Sequence, residues 1–262
     1  MTEKRLSFVI PARNEEALIR EVLEAILASV AKASAVARSE LRLPDTPFEV
    51  IVADDGSEDA TPAIVRTFDD VGVRLVPCVG RSCASARNVG AAASAGQVLC
   101  FVDADTIVPH NAVDRILQLH EGEGRCLVLY RLASREPGIR AWLWWSFWGM
   151  ARHLPLARAK SMPAFMSCDR THFESYGPFR ESWLIAEEWP LTGAAWRLHP
   201  ERFLYDRSLT ARTSSRRMEL RPFGYVRTLL NWGSAVLFPL MALVLWLLLR
   251  GVRGRAATVE GF

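Results

Sequence analysis

No two of the five cysteines in this 262-residue chain stand in CxxC spacing, and their number is odd. That leaves neither a zinc ribbon nor a disulfide framework, as expected of a reducing compartment. Cys100 and Cys126 lie inside apolar runs and read as small core residues. Lysine is scarce: Lys4, Lys32 and Lys160 are the only three among 32 basic residues. Residues 1–5 are charged and carry no signal-peptide pattern, so the catalytic portion is expected in the cytosol. The net charge is small, +3, and unevenly spread. From Arg197 onward eleven Arg stand against four acids, whereas the preceding residues hold 21 basic and 25 acidic side chains. A basic C-terminal third suits anionic partners such as phosphates or lipid headgroups. Nucleic acid is not expected among them.

What is present is an alternation of strands and helices. Apolar runs predict strands at residues 6–10, 48–53, 73–76, 98–102 and 125–130. Between them, Asn14 is expected to cap a helix carrying Leu18, Val22, Ala25 and Ile26 at helical spacing. Thr61-Pro62 opens a second helix, with Pro in the first turn. Residues 82–95 form a third, rich in small side chains and ended by Gly96. This order predicts an α/β fold with a mostly parallel sheet. Ligands of such sheets bind outside the carboxyl ends of the strands. Polar clusters at residues 12–15, 54–57 and 103–105 all fall at such ends. Asp103 and Asp105 are costly to place there unless a positive group sits on them. A divalent cation carrying a diphosphate meets that need, since hard cations combine one or two carboxylates with substrate phosphates.

The second half differs. Residues 141–150 read AWLWWSFWGM, a Trp-rich stretch suited to a core, an interface or a lipid-facing surface. Residues 232–249 are apolar throughout, flanked by Arg227 and by Arg250, Arg253 and Arg255. Eighteen residues are at the lower limit for spanning a bilayer. A run with no polar face predicts a membrane-associated C-terminal helix, either spanning or lying in the interface. The expected organisation is a catalytic domain at 1–222 and an apolar, Arg-flanked tail at 223–262.

Five motifs together resemble family 2 glycosyltransferases of the GT-A fold. They are Ile10-Pro11-Ala12-Arg13-Asn14-Glu15, Asp54-Asp55-Gly56-Ser57, Ala86-Arg87-Asn88-Val89-Gly90, Phe101-Val102-Asp103-Ala104-Asp105, and Glu187-Glu188 with Trp196-Arg197 downstream. Each is weak alone; their order and spacing are specific, and the resemblance extends over residues 5–217. It implies an inverting, metal-dependent transfer of a sugar from a UDP- or GDP-sugar to an acceptor hydroxyl. Pro11, Ala12 and Glu15 would frame the nucleotide base. Asp54 and Asp55 would bind base or ribose, and Arg87 the nucleotide or those two acids, with Arg81 a weaker candidate. Asp105 would ligate Mg²⁺ or Mn²⁺ directly. Asp103 would touch the ribose, or the metal through water, with Ala104 between them against the donor. Glu188 would be the general base, with Glu187 as its fallback. His172 and His199 are candidate third metal ligands. Residues 213–217, TSSRR, suit either a diphosphate or lipid headgroups.

The Trp-rich stretch and the tail extend this reading to a sugar or lipid-linked acceptor at the cytoplasmic face of the membrane. A sugar nucleotidyltransferase would share the layered scaffold, but it would want a Gly-rich basic loop after strand one, and residues 11–15 contain no Gly. A non-catalytic membrane scaffold would not need acids at Asp103, Asp105 and Glu188.

Overall fold

Strand β1 (Leu6–Ala12) is buried along its whole length, and its side chains alternate between two cores. Leu6, Phe8 and Ile10 face one side and Val9 the other, the period-two pattern of a strand covered on both faces. On the first side packs helix α1 (Ile19–Ala33) through Ile19, Val22, Leu23 and Ile26. Strand β2 (Phe48–Asp54), helix α2 (Thr61–Arg66) and strand β3 (Arg74–Pro77) follow. Helix α3 (Cys83–Ala92) covers the opposite face, and strand β4 (Val98–Val102) repeats the alternation of β1. This is a three-layer α/β arrangement, reached because each central strand is apolar on both sides. The computed structural model describes residues 3–79, 82–153, 164–182, 187–219, 223–226 and 228.

Beyond β4 come a short strand β5 (Thr106–Ile107), helix α4 (Ala112–Leu117), strand β6 (Leu127–Ser134) and the Trp-rich helix α5 (Ile139–Ala151). Strand β7 (Phe165–Asp169), helices α6 (Arg170–Tyr176) and α7 (Trp189–Leu198) and strand β8 (Phe203–Thr213) complete the sheet. Among the described residues the strand order is β3-β2-β1-β4-β7-β6-β8-β5. The pairs β3/β2, β2/β1 and β1/β4 are parallel, as expected. Strand β7 is antiparallel to both β4 and β6, so the sheet is mixed rather than mostly parallel.

Three local expectations change. Asn14 does not cap α1, which starts at Ile19 with Leu18 before it. Asn14 instead adopts φ 54°, and its Oδ1 accepts a bond from Glu58 N at 2.8 Å while its N donates to Ser57 Oγ. The side chain is thus used to tie the loops after β1 and β2 together. Helix α3 stops at Ala92, short of Gly96, whose N–H donates to Ser7 Oγ at 2.8 Å. The strand expected at 125–130 runs Leu127–Ser134.

The chain forms two compact units, Met1–Ser215 and Arg216–Phe262. In the second, a helical turn α8 (Arg216–Glu219) is described, and the Tyr225 hydroxyl donates to Glu219 at 2.6 Å. The apolar run at 232–249 lies outside the described residues, among which no helix is long and apolar enough to cross a membrane.

Helix α3 sits unusually close to the sheet because its residues are small. A Cβ added at Gly90 would stand 2.5 Å from Val9 Cγ1. Gly90→Ala gains roughly 1 kcal/mol of helix propensity but forces about 1–3 kcal/mol of overpacking. The net expectation is a lower denaturation midpoint for Gly90→Ala, and a neutral or raised one when the same change is made in a Val9→Ala background. Equal effects of Gly90→Ala in both backgrounds would show that the close approach is not what matters.

Candidate active site

Helix α3 starts cleanly because Ser82 is extended and its hydroxyl accepts from Ser85 N, a side-chain N-cap. One turn further in, this places Arg87 against the end of β4. Arg87 is 2% exposed, yet it is a full cation. Its two terminal nitrogens take separate carboxylates: Nη2 donates to Asp103 Oδ1 and Nη1 to Glu187 Oε1, each at 2.6 Å. The guanidinium also lies 5.5 Å from the Phe179 ring centroid. Burial opposes its charge, but Cys83, Asp103 and Glu187 outweigh that and raise its pKa. Asn88, next along α3, fixes the opposite wall. Its amide donates to Phe179 O at 3.0 Å and accepts from Phe179 N at 2.9 Å.

Asp103 follows β4 directly, and its N–H donates to Ala164 O at the start of β7. Asp105 is largely buried, and its Oδ1 accepts from Thr213 Oγ1 at 3.3 Å and Thr106 Oγ1 at 3.4 Å. The pairing of β5 with β8 brings those two threonines together. Thr213 belongs to the TSSRR segment expected near a diphosphate; the side chain it meets is Asp105. Ala104 between the acids is buried.

On the neighbouring strand ends, Asp55 N donates to Ala12 O at 2.8 Å, locking the loop after β2 to the end of β1. Asp54 Oδ2 accepts from Ser57 N at 3.3 Å, whereas its Oδ1 is buried with no hydrogen-bond partner among the described residues. A buried carboxylate oxygen left in that state is costly, and an N–H donor from a ligand would relieve it. Asp55 lies 3.8 Å from Arg13. Pro11, which lies within β1, and Glu15, in the turn that follows, are both buried, and Glu15 N donates to Thr61 Oγ1 at 2.8 Å.

Arg87 therefore meets Asp103 and Glu187 rather than Asp54 and Asp55. Glu187 is held in that clamp, while Glu188, the next residue, is fully buried at the N-cap of α7. Its carbonyl accepts from Thr192 N at 3.0 Å. Arg152, 2% exposed at the end of α5, was not anticipated from sequence. Burial pulls its pKa below the ordinary value, while Tyr205 and the charge of Glu188 act in the other direction. Only its place in an otherwise apolar stretch hinted at a buried cation.

The two histidines do not join the acids. Cys168 of β7 pairs with Leu99, and the antiparallel strand then carries the chain to the opposite end of β4 from Asp103. His172 lies on α6, which starts there, and its Nε2 donates to Leu191 O at 3.1 Å, so that nitrogen carries a proton and cannot ligate. His199 ends α7, facing Tyr176. No group of three or more His, Cys, Asp or Glu side chains suited to a metal occurs among the described residues. Arg81 lies outside the described residues.

Removing the Arg87 cation strands two acids on a partly closed rim. Arg87→Met is expected to lower stability by about 3 kcal/mol, with Arg87→Lys intermediate because an ammonium lacks the planar fork that spans both acids. Denaturant midpoints of the three proteins check this, and equal midpoints would refute it.

Comparisons with known proteins bear on the family and the fold. The sequence profile described as Glycosyl transferase family 2 matches residues 7–176. Validoxylamine A glucosyltransferase of Streptomyces hygroscopicus subsp. jinggangensis is 35% identical over 120 residues, covering 45% of this chain and 26% of that protein. The chain thus spans about a quarter of the length of that curated relative. Among solved structures, the mannosyltransferase PcManGT of Pyrobaculum calidifontis, in complex with GDP-Man and Mn²⁺, has a TM-score of 0.60 at 19% identity, covering 82% of this chain and 58% of that one. Glucosyl-3-phosphoglycerate synthase of Mycobacterium tuberculosis, in complex with Mn²⁺, UDP-glucose and phosphoglyceric acid, has a TM-score of 0.58 at 22% identity, covering 87% and 79%. At these identities the structures support the fold, a mixed α/β sheet flanked by helices. With the profile spanning well over half of the sequence, the chain belongs to glycosyl transferase family 2.

Proposed function

We propose that this glycosyltransferase moves a sugar, with inversion, from a UDP- or GDP-sugar to an acceptor hydroxyl in a metal-dependent reaction. The observation that carries the reading is the double salt bridge of Arg87, which ties Asp103 on the strand-end rim to Glu187 beside the base candidate Glu188. Relatives of the same fold support the donor class, one being bound to GDP-Man and another to UDP-glucose.

In this reading the end of β1 at Pro11 and Ala12, with Glu15 just after it, frames the base, and Asp54 Oδ1 accepts its N–H. Asp55 orients the ribose side. Asp103 and Asp105 would hold Mg²⁺ or Mn²⁺, which supplies neutralisation of the departing nucleoside diphosphate. Glu187 is committed to Arg87, so the proton of the acceptor hydroxyl goes to Glu188. The hydroxyl oxygen then attacks the anomeric carbon from the face opposite the diphosphate, and the configuration inverts. The acceptor is a sugar or a lipid-linked molecule, reached at the cytoplasmic face of the cell membrane. There the tail at 223–262, with its apolar run and flanking Arg, associates with the bilayer.

A screen of UDP- and GDP-sugars for Mn²⁺-dependent hydrolysis is expected to find one preferred donor. Asp105→Ala should lower that rate at least about 100-fold. Glu188→Gln should cut transfer about 10²–10⁴-fold while nucleotide affinity stays within a factor of about three. Hydrolysis that survives Asp105→Ala, or transfer that survives Glu188→Gln, would remove those residues from the proposed roles.

A further inference from the structure

A groove of about 270 Å³ runs between α5 and strands β6 and β8, and its lining residue Ser134 pairs with Thr213, which binds Asp105. Arg131, Arg207 and His153 line it together with Trp142, Trp145 and Met150, and no carboxylate is among its lining residues. Both arginines line it because β8 is irregular. Tyr130 pairs with Asp206, but the next residue, Arg131, pairs with Thr210. Arg207, Ser208 and Leu209 are surplus and leave the ladder as a bulge, a device that re-aims side chains. Asp206 pins the bulge: its carboxylate accepts from Ser208 N at 3.1 Å and Ser208 Oγ at 2.8 Å, and Arg115 binds it at 3.2 Å. Both Arg131 and Arg207 are exposed, and neither pairs with a carboxylate among the described residues. Two guanidinium groups lining one small groove present planar forks that suit phosphate oxygens.

The other wall is apolar and continues outward. Residues 139–151 contain no acid. Ile139, Trp142, Leu143, Phe147 and Met150 are each 49–68% exposed. At 3.6 residues per turn they fall within an arc of about 140° on α5. Trp142 and Met150 belong both to this stripe and to the groove. At the inner end, Tyr205 lines the groove and packs against His153, with ring centroids 5.7 Å apart, and against the Arg152 guanidinium at 5.2 Å. Trp145 Nε1 donates to Ser215 Oγ at 3.1 Å, and the neighbouring Ser214 N donates to Asp105 O at 3.2 Å. One side of the groove thus borders the strand-end acids, and the other opens onto an apolar surface.

We propose that this groove is the acceptor subsite and takes an amphiphile bearing a phosphate group, with Arg131 and Arg207 on the anion and Trp142, Trp145 and Met150 along the apolar chain. This rests on the sugar-transfer reading above. The test uses three probes titrated into the full chain below micelle-forming concentrations: decyl phosphate, neutral decyl maltoside and glycerol 3-phosphate. Decyl phosphate is expected to bind at least ten-fold more tightly than either of the others. Arg131→Gln with Arg207→Gln should abolish that preference, and the double Lys variant should keep more of it. Trp142→Ser should weaken decyl phosphate but not glycerol 3-phosphate. Melting temperatures close to wild type confirm that these surface variants fold. Decyl phosphate no tighter than decyl maltoside would overturn the proposal, because the arginines would then bind no anion. Equal affinity for glycerol 3-phosphate would also overturn it, pointing to a soluble phosphate instead. So would an unchanged preference in the double Gln variant, which would place the amphiphile elsewhere. Donor hydrolysis measured on the same wild-type sample separates the two readings. Its absence counts against sugar transfer, whereas the probe series judges the groove.

Discussion

A single buried cation organises the rim of this protein. Arg87 comes from α3, Asp103 from the end of β4 and Glu187 from the residues leading into α7. These elements are far apart in sequence, and the guanidinium ties their polar ends together above the apolar cluster they share. A carboxylate or ammonium taken out of water costs several kcal/mol, so the triad persists only because each partner satisfies another. Two bonds at 2.6 Å in a fixed fork give it a geometry that a point charge could not impose. Asp103 at the end of β4 and Glu187 beside the proposed base are therefore held in one frame.

The layers explain how that frame is reached. Helix α3 lies deep on the sheet because Ala84, Ala91 and Gly90 leave it no bulk. Helix α7 packs on the same face through Leu191 and Ala195, next to Phe101 and Met166. Arg87 and the start of α7 are consequently neighbours. The antiparallel strand β7 is the second requirement. It begins beside Asp103 and carries the chain back to the far end of the sheet, from which α6 and α7 return over α3's face. Asp105 depends on yet another strand pair, since its hydroxyl partners Thr106 and Thr213 are brought together by β5 and β8.

Much of this was legible in the sequence where burial is complete. Strand β4 is a continuous apolar run, β1 and β2 are apolar but for Ser7 and Glu49 before their ends, and the acids at or just past those ends marked the rim in the sequence. Pairings set by distant chain were not legible. Residues 165–169, FMSCD, are short and of mixed polarity, so nothing local declares an antiparallel strand. The bulge at Arg207 exists only relative to β6. Asn14 has good capping chemistry, but Glu58, 44 residues away, competes for its side chain. His172 and His199 are plausible ligands by residue type, yet the direction of β7 carries them to the wrong end of the sheet. Arg87 was singled out by pattern, but its expected partners Asp54 and Asp55 give way to Asp103 and Glu187, which depended on where α7 begins.

The central claim is that Arg87 couples Asp103 to Glu187, and a double-mutant cycle tests it most directly. Denaturant midpoints would be measured for Asp103→Asn, Glu187→Gln and the pair, in the wild-type chain and again with Arg87→Met. With Arg87 present, the two changes should be non-additive by at least about 1 kcal/mol. With Met at that position they should add. Additivity to within about 0.3 kcal/mol in the presence of Arg87 would contradict the account, because the two acids would then be independent.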